Sequence, residues 1–104
     1  MLTGGQRRGA FCEPTVLVDV KESMPAATEE TFGPLAVMIR ASDEQDAFNI
    51  AARSRFGLGL TVCTRDVERA LSYAGHVRDG AFFVNQLVMS DPRLPFGGTG
   101  ASGY

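Results

Sequence analysis

Four short apolar runs punctuate the chain: Thr15-Val16-Leu17-Val18-Asp19, Leu35-Ala36-Val37-Met38-Ile39, Leu60-Thr61-Val62-Cys63 and Ala81-Phe82-Phe83-Val84. They are rich in β-branched and aromatic residues and do not alternate with polar ones. That pattern predicts strands buried on both faces. The segments between them carry helix signals. Ser23-Met24-Pro25 predicts the start of a short helix, with Ser23 as cap and Pro25 in the first turn. Gly33-Pro34 must end it, because the residue before proline avoids the α region. Ser42-Asp43-Glu44-Gln45 has the spacing of a capping box. It opens a predicted helix to about Arg53, with Ala47, Phe48, Ile50 and Ala51 toward the core. Phe56-Gly57-Leu58-Gly59 stops that helix. Thr64-Arg65-Asp66 caps another, in which Val67, Ala70, Leu71, Ala74 and Val77 share one face. Asp79-Gly80 turns the chain into the last strand. The opening Gly4-Gly5-Gln6-Arg7-Arg8-Gly9 has the chemistry of an exposed turn, and a loop follows Asn85.

Strand and helix thus alternate. The expected fold is α/β, a mostly parallel sheet with helices on both faces. Ligands of such sheets gather at the carboxyl ends of the strands, where the Asn85 and Phe96 loops lie. The pattern alone does not bring Glu29–Pro34 to the same place.

Composition narrows the function. With 104 residues there is room for one domain and one modest core. At 44% hydrophobic and 21% charged, the chain has an ordinary globular balance. A formal net charge of -2 gives no footprint for nucleic acid or an anionic membrane. There is no long apolar run, and Met1 to Arg8 lacks the apolar stretch of a signal peptide, so a cytoplasmic location is expected. Cys12 and Cys63, far apart and with only His76 to join them, make no metal site. Each sits among apolar residues and is expected to be a small buried hydrophobe. Glycine is plentiful, but neither GxxxxGK[ST] nor a strand–GxGxxG–helix arrangement occurs.

The hexapeptide Glu29-Glu30-Thr31-Phe32-Gly33-Pro34 places two acids and an aromatic before an obligatory chain reversal. Taken by itself it has two readings: a solvated acidic helix end beside a core phenylalanine, or an acid with something to hold.

Several segments, taken in order, bear on that choice. Glu29–Pro34, Phe56-Gly57-Leu58, Val84-Asn85, Pro95-Phe96-Gly97-Gly98 and Ser102-Gly103 together resemble the NAD(P)-dependent aldehyde dehydrogenase superfamily. Thr3-Gly4-Gly5 and Glu13-Pro14-Thr15 resemble the way that family enters its strand. The resemblance spans essentially the whole chain. Ser90-Asp91-Pro92-Arg93, before the Phe-Gly-Gly, looks most like the succinate-semialdehyde group. One position departs: the lysine usual in the last loop is Gly100 here.

The resemblance implies that residues 1–104 are a fragment, the C-terminal portion of the catalytic domain of the aldehyde dehydrogenase fold. The cofactor-binding domain, the nucleophilic cysteine and the water-activating glutamate would lie outside it. The parent would oxidise a small-molecule aldehyde, with succinate semialdehyde first in line, to the acid with NAD or NADP, as a homo-oligomer. By resemblance Glu30 bonds the ribose hydroxyls on the nicotinamide side, and Phe32 packs near the nicotinamide ring. Phe96 walls the aldehyde tunnel, and Ser90 and Arg93 face the substrate's far end. Leu58 is expected in the core, Asn85 is expected to tie loop backbone, and Glu29 is left to capping or the surface. No residue here is assigned as catalytic, and the chain alone is expected to be inactive. The alternative is a non-catalytic truncated α/β module that acts through partner binding, or a non-functional remnant.

Overall fold

A computed structural model describes residues 1–103. The chain forms two compact units, Met1–Ala47 and a second starting at Phe48. Each contains one strand–helix–strand crossover.

In the first unit, β1 (Arg7–Arg8) and β2 (Phe11–Cys12) form a small antiparallel hairpin. The crossover follows as β3 (Thr15–Leu17), α1 (Pro25–Thr28) and β4 (Leu35–Val37). Its strands pair in parallel, Thr15 opposite Leu35 and Leu17 opposite Val37. Flanking bonds lengthen the pairing: Thr15 N–H donates to the Pro34 carbonyl at 2.8 Å and Met38 N–H to that of Leu17 at 2.8 Å. Val20 is the buried apolar residue of this unit. Helix α1 is only four residues long, too short to persist without tertiary support. Its cap is Met24 rather than Ser23, and no side chain caps it.

Helix α2 (Glu44–Ala52) starts as expected, but its capping bonds fall one residue later. The Asp43 carboxylate accepts from Asp46 N–H at 2.8 Å, and Asp46 accepts in return from Ser42 N–H at 2.9 Å. A carboxylate is a stronger acceptor than the Ser42 hydroxyl for these open donors.

The second unit holds β5 (Phe56–Gly57), β6 (Leu60–Val62), α3 (Val67–Ser72), a 3-10 turn (Ala74–His76), β7 (Phe82–Val84) and β8 (Thr99–Gly100). Strands β6 and β7 pair in parallel, Leu60 opposite Phe82 and Val62 opposite Val84. Strands β5 and β8 pair antiparallel. Asp66 caps α3 as expected, accepting from Arg69 N–H at 3.0 Å. The Phe48 ring stacks on Tyr73 with centroids 4.1 Å apart, and Phe48, Ala70 and Val77 are buried.

The α/β class and both parallel crossovers agree with the sequence pattern, but the single mostly parallel sheet does not form. Among the described residues, four two-stranded sheets take its place, two parallel and two antiparallel. Each crossover brings together only the two strands it connects. The antiparallel strands arise from glycine-rich segments whose local chemistry signals turns. Burial is also thinner than expected. Cys12 and Cys63 are both exposed. Cys12 lies on a two-residue hairpin opposite Arg7, and Cys63 follows the last residue of β6. Leu58 is exposed rather than in the core, as are Val67 and Leu71 on α3 and Ala47 on α2. A two-stranded pair has too little surface to cover a whole helix face.

Candidate functional site

The Glu29–Pro34 stretch is held at both ends within the first unit. Glu29 N–H donates to the Pro25 carbonyl at 2.8 Å and closes α1. The Pro34 carbonyl accepts from Thr15 at the start of β3. Between these ties Phe32 has φ 44, in the left-handed region that favours glycine. Such a conformation costs about 1–3 kcal/mol in a bulky residue and marks a constraint imposed by its surroundings. Phe32 is 90% exposed, so it is not a core phenylalanine. Glu30 is exposed, and its carboxylate bonds no other described residue. An open carboxylate accepts well from two adjacent hydroxyls, and an open aromatic face can meet a flat ring.

The second unit carries the loop after β7. Asn85, at φ 55, anchors its start. Its Oδ1 accepts from Thr64 N–H at 2.8 Å and its Nδ2 donates to the Thr64 carbonyl at 2.7 Å. Asn85 thus ties loop backbone as the sequence suggests. Leu87 is 82% exposed, Met89 56% and Leu94 67%. Phe96, also exposed, ends this apolar stretch, and the Ser90 hydroxyl is exposed and engaged by no other described residue.

Arg93 is not a free cation. Its Nε donates to Asp91 Oδ1 at 2.9 Å and its Nη2 to Asp91 Oδ2 at 2.7 Å. Its backbone N–H also donates to Asp91 Oδ1, at 2.9 Å. These bonds hold the Asp91 carboxyl below its ordinary range. The importance of Asp91 was not visible in the sequence, although its place two residues before Arg93 is a short-range signal of an Asx turn.

The glycines after Phe96 are explained by backbone approach. A Cβ on Gly80 would collide with the Gly97 carbonyl, and one on Gly98 with the Ser102 backbone. Only glycine lets the Phe96 loop lie this close to the Asp79-Gly80 turn.

Sequence reasoning also missed an open cleft of about 520 Å³ in the second unit, lined in part by Ser54, Arg55, Phe56, Arg78, Asp79 and Thr99. The Arg55 guanidinium sits 4.8 Å from the Phe56 ring centroid. Burial pushes the Asp79 carboxyl above its ordinary value, against a smaller opposing effect of a backbone hydrogen bond. None of the expected cofactor or substrate residues, Glu30, Phe32, Ser90, Arg93 and Phe96, lines the cleft. Among the described residues, no group of three or more His, Cys, Asp or Glu could hold a metal ion, and no helix is long and apolar enough to cross a membrane.

The structure therefore places Glu30 and Phe32 together in the first unit, and Ser90, Arg93 and Phe96 together on one loop of the second.

Comparison with known proteins bears on what these segments belong to. The model of the aldehyde dehydrogenase family matches residues 1–104. A succinate-semialdehyde dehydrogenase [NADP(+)] of Deinococcus radiodurans is 43% identical over 107 residues, covering 100% of this chain and 22% of its own length. A vanillin dehydrogenase of Pseudomonas fluorescens is 39% identical over 105 residues, again covering 100% of this chain and 22% of its own. Among solved structures, an aldehyde dehydrogenase of Mycobacterium tuberculosis complexed with NAD+ superposes with a TM-score of 0.89 at 37% identity. It covers 99% of this chain and 22% of that one. This chain thus spans about 22% of the length of the curated relatives it matches. The matches support a partial length but not the C-terminal placement expected from the motifs. By sequence and by fold, the chain belongs to the aldehyde dehydrogenase family.

Proposed function

We propose that this chain is the part of an NAD(P)-dependent aldehyde dehydrogenase that clamps the cofactor ribose and forms the wall and far end of the aldehyde site. The order of its motifs favours the C-terminal portion of the catalytic domain. The observation that carries the reading is the pairing of an open Glu30 carboxylate with Phe32, held at φ 44 and 90% exposed. The left-handed backbone of Phe32 carries a conformational cost, and it leaves the ring and the neighbouring acid open to a ligand.

Glu30 would accept hydrogen bonds from the ribose hydroxyls, and Phe32 would limit the position of the nicotinamide ring. Alignment of this kind matters because hydride transfer requires close approach. NAD or NADP, when bound, supplies the hydride acceptor. Phe96 and its apolar neighbours would exclude water from the aldehyde. The nucleophile is assigned to a part of the enzyme outside this chain; neither Cys12 nor Cys63 has a hydrogen-bonded base beside it among the described residues.

The proposed substrate is a small aldehyde with a distal carboxylate, succinate semialdehyde first. Ser90 offers a hydroxyl, and Arg93 keeps N–H donors beyond those that Asp91 takes. The relative named for succinate semialdehyde, 43% identical, points the same way. A second reading, a neutral or aromatic aldehyde, is favoured by the Asp91–Arg93 pairing and by the relative named for vanillin.

The test is a chimera in which this chain replaces its matching segment in the Deinococcus radiodurans relative. We expect a higher kcat/KM for succinate semialdehyde than for butanal, and loss of that preference in Arg93→Ala. If the preference survives both Arg93→Ala and Ser90→Ala, these residues do not read the carboxylate. If butanal or vanillin is preferred, the second reading holds.

A further inference from the structure

The Asp91–Arg93 pair uses one defined edge of the guanidinium. Arg has five N–H donors in a rigid fork. Asp91 occupies Nε and one hydrogen of Nη2, at 2.9 and 2.7 Å. The end-on edge, one hydrogen from each of Nη1 and Nη2, is left open, and the Arg93 side chain is 85% exposed. Backbone geometry fixes the rest. Asp91 Oδ1 also accepts from Arg93 N–H, and the Asp91 carbonyl accepts from Leu94 N–H at 3.0 Å. Pro92 locks the φ between them. Asp91 is the less exposed partner, with a side chain 32% exposed.

We infer that Asp91 is a positioning residue for substrate recognition: by holding the Nε/Nη2 edge of the Arg93 guanidinium, it presents the adjacent end-on edge as a preformed two-donor fork for a carboxylate. This rests on the proposed role of Arg93 in reading a carboxylate and deepens it. An unrestrained arginine loses much rotamer freedom on binding, and a fork fixed in advance loses less. Asp91 also cancels the net charge of Arg93. Recognition by this loop then depends on aimed donors rather than long-range attraction, and changes little with salt. The depressed Asp91 carboxyl pKa agrees with a carboxylate that stays ionised in the pair.

The test uses the chimera with the Deinococcus radiodurans relative, and succinate as probe, at 0.15 M salt, where the Debye length is about 8 Å. Proton–nitrogen NMR should show a resolved, slowly exchanging Arg93 Nε–H that shifts on titration with succinate and not with neutral butanol. Asp91→Asn keeps an acceptor for the turn but removes the charged fork. Its amide fingerprint should stay folded, its Nε–H signal should be lost to exchange, and succinate should bind about two- to fivefold more weakly, the size expected for an exposed ion pair. Its binding should also become more salt-sensitive. Arg93→Ala should abolish the succinate response. If wild type does not respond to succinate, or if Arg93→Ala responds as wild type does, the reading of Arg93 falls, and the inference with it. If Arg93→Ala abolishes the response while Asp91→Asn binds succinate as tightly as wild type or more tightly, the role of Asp91 alone is overturned.

Discussion

At the scale of single residues, two carboxylates with opposite environments separate structural from functional demands. Asp91 is held below its ordinary pKa by Arg93. Its contribution to stability is therefore present above pH 3.8 and lost as the pH falls through the depressed folded value. Asp79 is the reverse case. Burial raises its pKa, so the folded state holds its proton more tightly than the unfolded chain. Stability then falls as the pH rises from 3.8 through the raised folded value, and the penalty is complete above that value. Asp79→Asn should accordingly raise Tm at pH 7, with the gain vanishing near pH 3. A lower Tm in the variant at pH 7 would show that the carboxylate is stabilised in the cleft. The role of Asp79 could not be read from the sequence, where Asp79-Gly80 signals only a turn. Asp79 lines a cleft with Arg55 and Thr99, residues distant from it in the sequence. Phe32 was half legible. Its place before an obligatory chain reversal was legible, but its left-handed φ and near-complete exposure depend on ties to β3 that no local pattern displays.

At the scale of elements, local signals translated well and pairing signals did not. The parallel strands fall within the apolar runs because continuous β-branched and aromatic stretches favour a pleated backbone, although they are only half-buried, with Ala36 and Val37 exposed, rather than buried on both faces. The Asp66 cap and the start of α2 were legible because capping is chemistry within four residues. The weak elements β1, β2, β5 and β8 were missed, since two-residue strands carry no period to detect. Asn85 joins the two scales. Its side chain bonds both the N–H and the carbonyl of Thr64, so it ties the end of β7 to the segment leaving β6. Asn85→Gly keeps a left-handed backbone accessible but removes both bonds. At about 0.5–1.5 kcal/mol for each bond, it should destabilise the chain by roughly 1–3 kcal/mol in urea unfolding. An Asn85→Gly chain as stable as wild type would mean that backbone conformation, not the side-chain bridge, explains the residue.

At the scale of the whole molecule, family membership rests on a match across residues 1–104, while burial within the chain is modest. Its buried apolar residues are Val20, Phe48, Ala70 and Val77. The large apolar side chains of the Asn85–Phe96 loop face outward, consistent with a segment whose site is completed by other parts of an enzyme. The proposed division of labour assigns this segment the cofactor clamp and the substrate loop, and assigns the nucleophile to the remainder. Its most direct test is kcat in the chimera with the Deinococcus radiodurans relative, for Glu30→Gln and Glu29→Gln against the parent chimera. Losing a charge-assisted hydrogen bond is worth about 1.5–3 kcal/mol, or roughly ten- to a hundredfold in rate when the bond aligns the reacting groups. The account predicts a fall of that size in kcat for Glu30→Gln, a smaller change in cofactor affinity, and near-parental kcat for Glu29→Gln. Intact kcat in Glu30→Gln together with impaired kcat in Glu29→Gln would contradict it.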